Sequence, residues 1–265
     1  MNWSNILMAV LSLTSMGVIF GVILGVASRI FAVETDPRAE QIIAVLPSAN
    51  CGGCGYAGCA NFAEAVVSGD APTNGCAVGG SAVAKLVAEI MGQEAKEVIP
   101  MKAVVKCSAD CDTAKRKYTY EGFDTCRAVS TIAGGEKACS FACCGHGDCV
   151  KVCRFGAIQV IDGLAVVDRD KCTGCGTCAR TCPKGIIQLR PAQCDHDVLC
   201  SSHKRGVEVR DVCKRGCVAC GVCVRNCHNN AIRLENNLAV IDPELCINCH
   251  ACVDSCPRHT IRGFL

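Results

Sequence analysis

Cys172-Thr-Gly-Cys175-Gly-Thr-Cys178-Ala-Arg-Thr-Cys182-Pro183 recurs about 74 residues on as Cys246-Ile-Asn-Cys249-His-Ala-Cys252-Val-Asp-Ser-Cys256-Pro257. Both stretches have the C-x2-C-x2-C-x3-C-P spacing at which three thiolates of a block grip one 4Fe–4S cluster and the fourth reaches the cluster of a partner block. Cys217, Cys220, Cys223 and Cys227 repeat the spacing, with His228 where the proline would stand. Because the fourth ligand is exchanged, blocks have to come in pairs, and a fourth block is required. Cys139, Cys143, Cys149 and Cys153 supply it in looser form, with Arg154 in the proline position and His146 where Cys220 stands. Cys139 aligns with Cys213 and is read as the substitute for the ligand lost at His146; Cys144 and His146 are the alternatives.

Outward from the blocks, residues 157–168 alternate in polarity around Asp162-Gly163, and residues 231–242 do the same around Asn236-Asn237. Each reads as a β-hairpin with a tight turn. Each unit is therefore a cysteine loop, short helix, hairpin, second cysteine loop and second helix, and the unit occurs twice. Cross-ligation gives four expected sets. One is Cys139, Cys143, Cys149 and Cys182, and its partner is Cys172, Cys175, Cys178 and Cys153. The second pair is Cys217, Cys220, Cys223 with Cys256, and Cys246, Cys249, Cys252 with Cys227.

Upstream lies Cys51-Gly-Gly-Cys54-Gly-Tyr-Ala-Gly-Cys59, with Cys76 further on. Four thiolates make one further cluster site, and glycines let the backbone wrap closely round the inorganic core. Gly53, Gly55 and Gly58 also spell G-x-G-x-x-G. A dinucleotide site needs that motif between a strand and a helix; here two cysteines interrupt it and Pro47 lies just ahead. Asp36-Pro37 predicts the start of a helix ending near Pro47. The amphipathic stretch Ser81 to Met91, stopped by Gly92, predicts another.

Seven cysteines remain: Cys107, Cys111, Cys126, Cys144, Cys194, Cys200 and Cys213. The sequence before Cys107 resembles that before Cys200, and the surroundings of Cys126 resemble those of Cys213. By that pseudo-symmetry Cys107, Cys126, Cys200 and Cys213 could hold a sixth cluster; the alternative is that they are small buried hydrophobes.

Residues 1–28 carry no Asp, Glu, Lys or Arg, and Ile6 to Ala27 is almost wholly apolar. At 1.5 Å per residue such a run crosses a hydrocarbon core of about 30 Å. No basic segment precedes it, unlike a signal peptide. Gly17, Gly21 and Gly25 form a small-residue stripe suited to packing on another membrane helix. Arg29 and Arg38 follow the run, placing the rest of the chain in the cytoplasm.

Composition agrees. The 265 residues include 27 cysteines, with aromatic residues at 4%. Cysteines in tight blocks exclude a disulfide scaffold, and the scarcity of large side chains fits small metal-centred modules that fold with their metal. The net charge of +2 gives no sign of nucleic-acid binding. Short basic runs stand at residues 115–117, 203–205 and 214–215. They read as solvated surface or as a docking face for an acidic carrier.

The expected fold is α+β, made of small iron–sulfur modules. Its divisions are a transmembrane anchor (1–28), a four-cysteine domain (29–98), a connecting segment with extra cysteines (99–130) and ferredoxin-like domains at 131–192 and 193–265. Five 4Fe–4S clusters follow from the blocks, and there is a sixth only if the leftover cysteines ligate metal and are not small buried hydrophobes. Such a chain would pass single electrons between clusters, with no catalytic side chain.

The succession of anchor, C-x2-C-x4-C-x16-C domain and tandem ferredoxin modules resembles the B subunits of Rnf ion-translocating complexes. That resemblance implies a single-pass cytoplasmic-membrane component of a translocase complex. It would accept electrons from reduced ferredoxin and pass them towards membrane and flavin subunits that reduce NAD+ and move Na+ or H+. The rivals are an electron-transfer component of another anaerobic membrane oxidoreductase and an iron–sulfur redox sensor or scaffold.

Overall fold

In the computed structural model, residues 3–30 and 36–264 are described. The first helix, α1 (Trp3–Ile30), has no acidic residue in its first turn and ends with Arg29 in its last. Ile6–Ile30 has a mean hydropathy of 2.4 and none of it is buried. Leu7, Leu11, Val18, Ile19, Val22 and Leu24 all stand exposed, on every side of the helix. A soluble helix hides such residues along one stripe; this one is apolar all round, long enough to cross a membrane. Among the described residues nothing lies against Gly17, Gly21 or Gly25.

Asp36 caps α2 (Pro37–Val45), its carboxylate accepting the Arg38 N–H at 2.8 Å. The helix stops just ahead of Pro47, as the proline requires. It packs on α3 (Cys59–Ser68) and α4 (Gly80–Ile90), with Ile42, Leu46, Phe62, Val66 and Val87 as the core. Gly69, in the left-handed region at φ 87°, ends α3.

Beyond α4 the chain makes β1 (Met101–Val105), α5 (Cys126–Thr131) and α6 (Asp148–Lys151). Next come β2 (Ile158–Ile161), β3 (Leu164–Val167), α7 (Thr177–Thr181) and β4 (Ile187–Pro191). β2 and β3 form the expected hairpin, with Asp162 and Gly163 both at positive φ as a tight primed turn demands. β1 pairs antiparallel with β4, Ala103 opposite Leu189. The segment expected to connect domains at 99–130 thus supplies the opening strand of the first ferredoxin-like module. Residues 106–138 are an insertion between that strand and the first regular half of the module.

The second module repeats the plan after β5 (His196–Val198) and α8 (Gly206–Val212), with α9 (Val222–Arg225), β6 (Ile232–Glu235), β7 (Leu238–Ile241), α10 (Ala251–Asp254) and β8 (Ile261–Gly263). β5 pairs with β8, and β6 with β7 across Asn236-Asn237, both at positive φ. The four sheets are all two-stranded and antiparallel. Each core is small and mixes Ile, Val and Ala with cysteine: Val105, Ile158, Ile186 and Ile187 in one module, Val198, Ile232, Ile241 and Ile261 in the other. Strands this short bury too little apolar surface to hold a fold alone, so metal binding has to contribute to folding.

The two modules are fastened by a buried ion cluster. Asp197 on β5 is fully buried; Lys106 Nζ lies 2.8 Å from its Oδ1 and Arg190 Nε 2.9 Å from its Oδ2. Both cations come from the first module. Burial pulls the Lys106 ammonium below its ordinary value, and the Asp197 carboxylate opposes that pull.

Candidate metal centres

In the N-terminal domain Cys51, Cys54, Cys59 and Cys76 line one cavity of about 360 Å³. Asn50 Oδ1 accepts the Cys59 N–H at 2.8 Å and fixes the loop where α3 begins. The Gly53 and Gly79 N–H groups point at Cys51 and Cys76 Sγ, each at 3.4 Å. Amides directed at sulfur stabilise thiolates in iron–sulfur loops. The loop follows α2 and not a strand, so the G-x-G-x-x-G spelling serves thiolates and not a dinucleotide.

In the second module Cys217, Cys220, Cys223 and Cys256 line a cavity of about 360 Å³, walled by Val198, Leu234, Ala239 and Ile261. Cys256 comes from the other block, as cross-ligation requires. The partner set gathers round Cys252, whose thiol is pushed up to about 12 first by burial and then by nearby Cys246, Cys223 and Cys227. Ala231 N–H points at Cys227 Sγ at 3.2 Å. His196, which the sequence did not single out, is buried with Nε2 3.8 Å from Cys246 Sγ and Nδ1 2.6 Å from Asp195.

The first module keeps one regular set. Cys178 is pushed up to about 11 by burial, then by Cys172, Cys175 and Cys153. Ala103 of β1 donates to Cys172 Sγ and Ala157 to Cys153 Sγ, both at 3.4 Å.

The irregular set departs from expectation. Its cavity, about 330 Å³, is lined by Cys143, Cys149 and Cys182 with Cys126 and Cys144, and Cys139 is elsewhere. Cys139 lines a separate cavity of about 310 Å³ with Cys107, Cys200 and Cys213. Cys126 and Cys139 have therefore exchanged places relative to the sets read from spacing. The cause is the insertion. Thr125 caps α5, which starts at Cys126, and Arg127 N–H donates to Asp148 at 3.1 Å, holding Cys126 over the 143–149 loop. Cys139 is drawn the other way by backbone pairing: Ala138 N–H donates to Lys115 O at 2.7 Å, and Ala114 bridges to Cys213.

Cys126 and Cys144 both stand beside Cys143, Cys149 and Cys182 in this cavity, so either could complete the set. A hydrogen bond between the two thiols, assisted at Cys126 by the Asp148 and His146 N–H groups, lowers Cys126 and raises Cys144 from the ordinary thiol value. His146 is spoken for, with Nδ1 2.6 Å from Asp124 and Nε2 3.4 Å from Glu136. Of the remaining cysteines, Cys111 is exposed beside Arg116 and Cys194 is buried.

The donor sets fit a polynuclear iron centre. None of the cysteines is paired in a disulfide. Burial lifts Cys107 and Cys149 to about 12 and Cys200 and Cys223 to about 11. Sulfurs packed so closely in apolar walls can ionise together only round a positive centre.

The sites also form a line. A methyl group on Gly53 would lie 2.9 Å from Cys175 Cβ, and Thr177 and Arg180 donate to the Cys51 and Gly52 carbonyls at 3.2 and 2.9 Å. Cys149 lies near Cys178 of the next set. Cys143 N–H donates to Cys107 Sγ at 3.4 Å. Cys200 adjoins Cys217, and Cys223 adjoins Cys252. The Cys107/Cys139/Cys200/Cys213 site is the link between the modules.

Fold and sites together define an iron–sulfur electron-transfer protein with tandem ferredoxin-like modules. Residues 46–78 match the FeS (Fe-S cluster) family, 165–188 the 4Fe-4S binding domain, and 216–260 the 4Fe-4S dicluster domain. The chain is 44% identical to the B subunit of the proton-translocating ferredoxin:NAD(+) oxidoreductase complex of Clostridium ljungdahlii, over 99% of this chain and 94% of that protein. It is 44% identical to the B subunit of the Na(+)-translocating ferredoxin:NAD(+) oxidoreductase complex of Acetobacterium woodii, over 93% and 74%. It is 39% identical to the B subunit of the ion-translocating oxidoreductase complex of Methanosarcina acetivorans, over 94% and 95%. The chain belongs to this family, the B subunits of the Rnf complexes.

Proposed function

We propose that this protein holds six 4Fe–4S clusters in one row, accepts electrons from reduced ferredoxin and delivers them to the membrane and flavin subunits of an Rnf-type complex. The cysteine-lined cavities, and the contacts between successive cysteine groups along the chain, are the observation that supports it. Bound clusters each take up and release one electron without bond chemistry on a substrate. The chain's own residues supply the thiolates, the amides that point at them and the apolar walls that keep water out. No side chain acts as acid, base or nucleophile. Among the described residues one helix is long and apolar enough to cross a membrane. Its apolar run from Ile6 to Ala27 carries no charge to form an ion path, so translocation belongs to other subunits and this one serves only to drive it. Arg29 and Arg38 beyond the apolar run favour a single pass with the cluster modules in the cytoplasm.

The test is iron and acid-labile sulfide per full-length chain prepared without oxygen, followed by mixing with reduced ferredoxin. About 24 irons, four per site, with rapid bleaching by ferredoxin is the expected result. About 20 would remove the linking site, and stoichiometric zinc in place of iron would remove the function. A redox sensor or scaffold would show labile clusters without rapid reversible reduction.

A further inference from the structure

The internal repeat lets each surface of one module be compared with its counterpart in the other. In the first module both outward cysteine loops are covered. The Cys175 loop is pressed against Gly53 of the four-cysteine domain. The loop at 143–149 has His146 in place of an outward cysteine and lies under the insertion, facing Asp124 and Glu136. In the second module the corresponding ligands, Cys220 and Cys249, are both exposed.

The two bare loops differ in charge. Gly206 packs so closely on the Cys220 loop that a Cβ there would lie 2.6 Å from Val218 O, which brings Lys204 and Arg205 alongside. Lys214 and Arg215 lie between Cys213 and Cys217, Arg225 Nη1 reaches Cys220 O at 3.5 Å, and Arg258 donates to the Cys213 and Gly216 carbonyls. Two nearby carboxylates, Glu208 and Asp110, are already paired with Lys204 and Arg215, at 3.8 and 3.0 Å; Asp211 is a third acid. Val207 and Leu234 add apolar area, 70% and 44% exposed. The Cys249 loop is flanked in sequence by Glu244 and Asp254 and has no lysine or arginine between residues 244 and 256. Its near neighbours are His228, 3.9 Å from Cys249 Sγ, and His250, paired with Asp195 at 2.8 Å, and Leu245 and Ile247 are exposed beside it. In the four-cysteine domain Glu40, Glu64, Asp70, Glu89, Glu94 and Glu97 outnumber Arg38, Lys85 and Lys96. Opposite charge steers encounter and fixes orientation, while an apolar centre holds the complex.

We propose that the Cys220 loop, ringed by Lys204, Arg205, Lys214, Arg215 and Arg225, is the docking surface for a small acidic iron–sulfur carrier. This rests on the proposed acceptance of electrons from ferredoxin and specifies where it happens. Two of the basic runs noted in the sequence, 203–205 and 214–215, converge at this loop.

The test uses the full-length, cluster-loaded chain and an acidic ferredoxin, measuring the binding constant of the oxidised carrier and the reduction rate by the reduced one across a salt series. The paired change Lys204→Glu with Lys214→Glu is compared with Lys85→Glu plus Lys96→Glu, which alters net charge equally on the remote domain. The first pair is expected to weaken binding and slow association by about tenfold at low salt and to flatten the salt dependence. The second pair is expected to change either by less than about twofold, with iron per chain unchanged in both. Equal effects of the two pairs would overturn the proposal, as would loss of binding on Ile247→Asp beside Cys249 with the first pair inert. A wild-type chain that neither binds nor is reduced by ferredoxin at any salt would overturn the donor assignment itself, and the docking surface with it.

Discussion

The exchange of Cys126 and Cys139 can be tested by counting iron in paired variants. Cys107 and Cys139 line one cavity, whereas Cys126 lies in the next one. Replacing Cys107 and Cys139 together with alanine removes two ligands from a single site. Iron should fall from about 24 to about 20 per chain, one four-iron centre. Replacing Cys107 and Cys126 together injures two sites, and iron should fall towards about 16, with two paramagnetic centres missing. If each site fails once one ligand is gone, the loss from the first pair equals that from either single change, the non-additivity of groups acting as a unit. The assay is metal analysis and acid-labile sulfide, with spin quantitation of the reduced protein by EPR. The chain should stay soluble in both cases, because the Lys106–Asp197–Arg190 cluster still fastens the modules. Loss of about eight irons from the first pair and about four from the second would refute the reasoning and restore the grouping read from spacing.

Asp197→Asn leaves Lys106 and Arg190 buried without their counter-charge, so a cost of about 3–5 kcal/mol is expected, read as a lowered denaturation midpoint with unchanged iron beforehand. A methyl group on Gly53 would meet Cys175 Cβ and its carbonyl oxygen, both at 2.9 Å. Gly53→Ala should therefore part the four-cysteine domain from the first module, seen as faster proteolytic release of residues 36–98 with iron unchanged. In the metal-free chain the Cys107, Cys149 and Cys252 thiols lie near 12, raised by burial above the ordinary 9.0. A raised thiol stabilises the fold fully below its unfolded value and loses that contribution as pH climbs through the folded one. Metal-free protein should thus lose stability between about pH 9 and pH 12, while iron insertion, which releases protons, should be favoured by rising pH. An unfolding midpoint that rises over that window would contradict the burial of these thiols.

Much of this protein is written in local sequence. The regular blocks specify their ligands because three thiolates within seven residues can reach one centre wherever the module sits. The hairpins at Asp162-Gly163 and Asn236-Asn237 follow from turn chemistry, and α1 from an uninterrupted apolar run. The extent of the first module was less legible. β1 is short and its partner β4 lies more than eighty residues away, beyond an insertion with no periodic pattern of its own. The linking site was half legible: its residues could be suspected as leftovers, yet local resemblance grouped Cys126 with Cys107, Cys200 and Cys213.

Spacing by itself therefore pointed to four-thiol iron–sulfur blocks that pair across two modules, and composition to an apolar helix long enough to cross a membrane ahead of them. Only the tertiary structure placed Cys126 beside Cys143, Cys149 and Cys182 and Cys139 beside Cys107, Cys200 and Cys213. It alone brought successive cysteine groups into contact and left Cys220 and Cys249 of the second module exposed. Ligands within a block are held together by the covalent chain. Ligands gathered from four separate segments are held by the backbone pairing of 114–117 with 136–138 and 212–214, which no single stretch of sequence encodes.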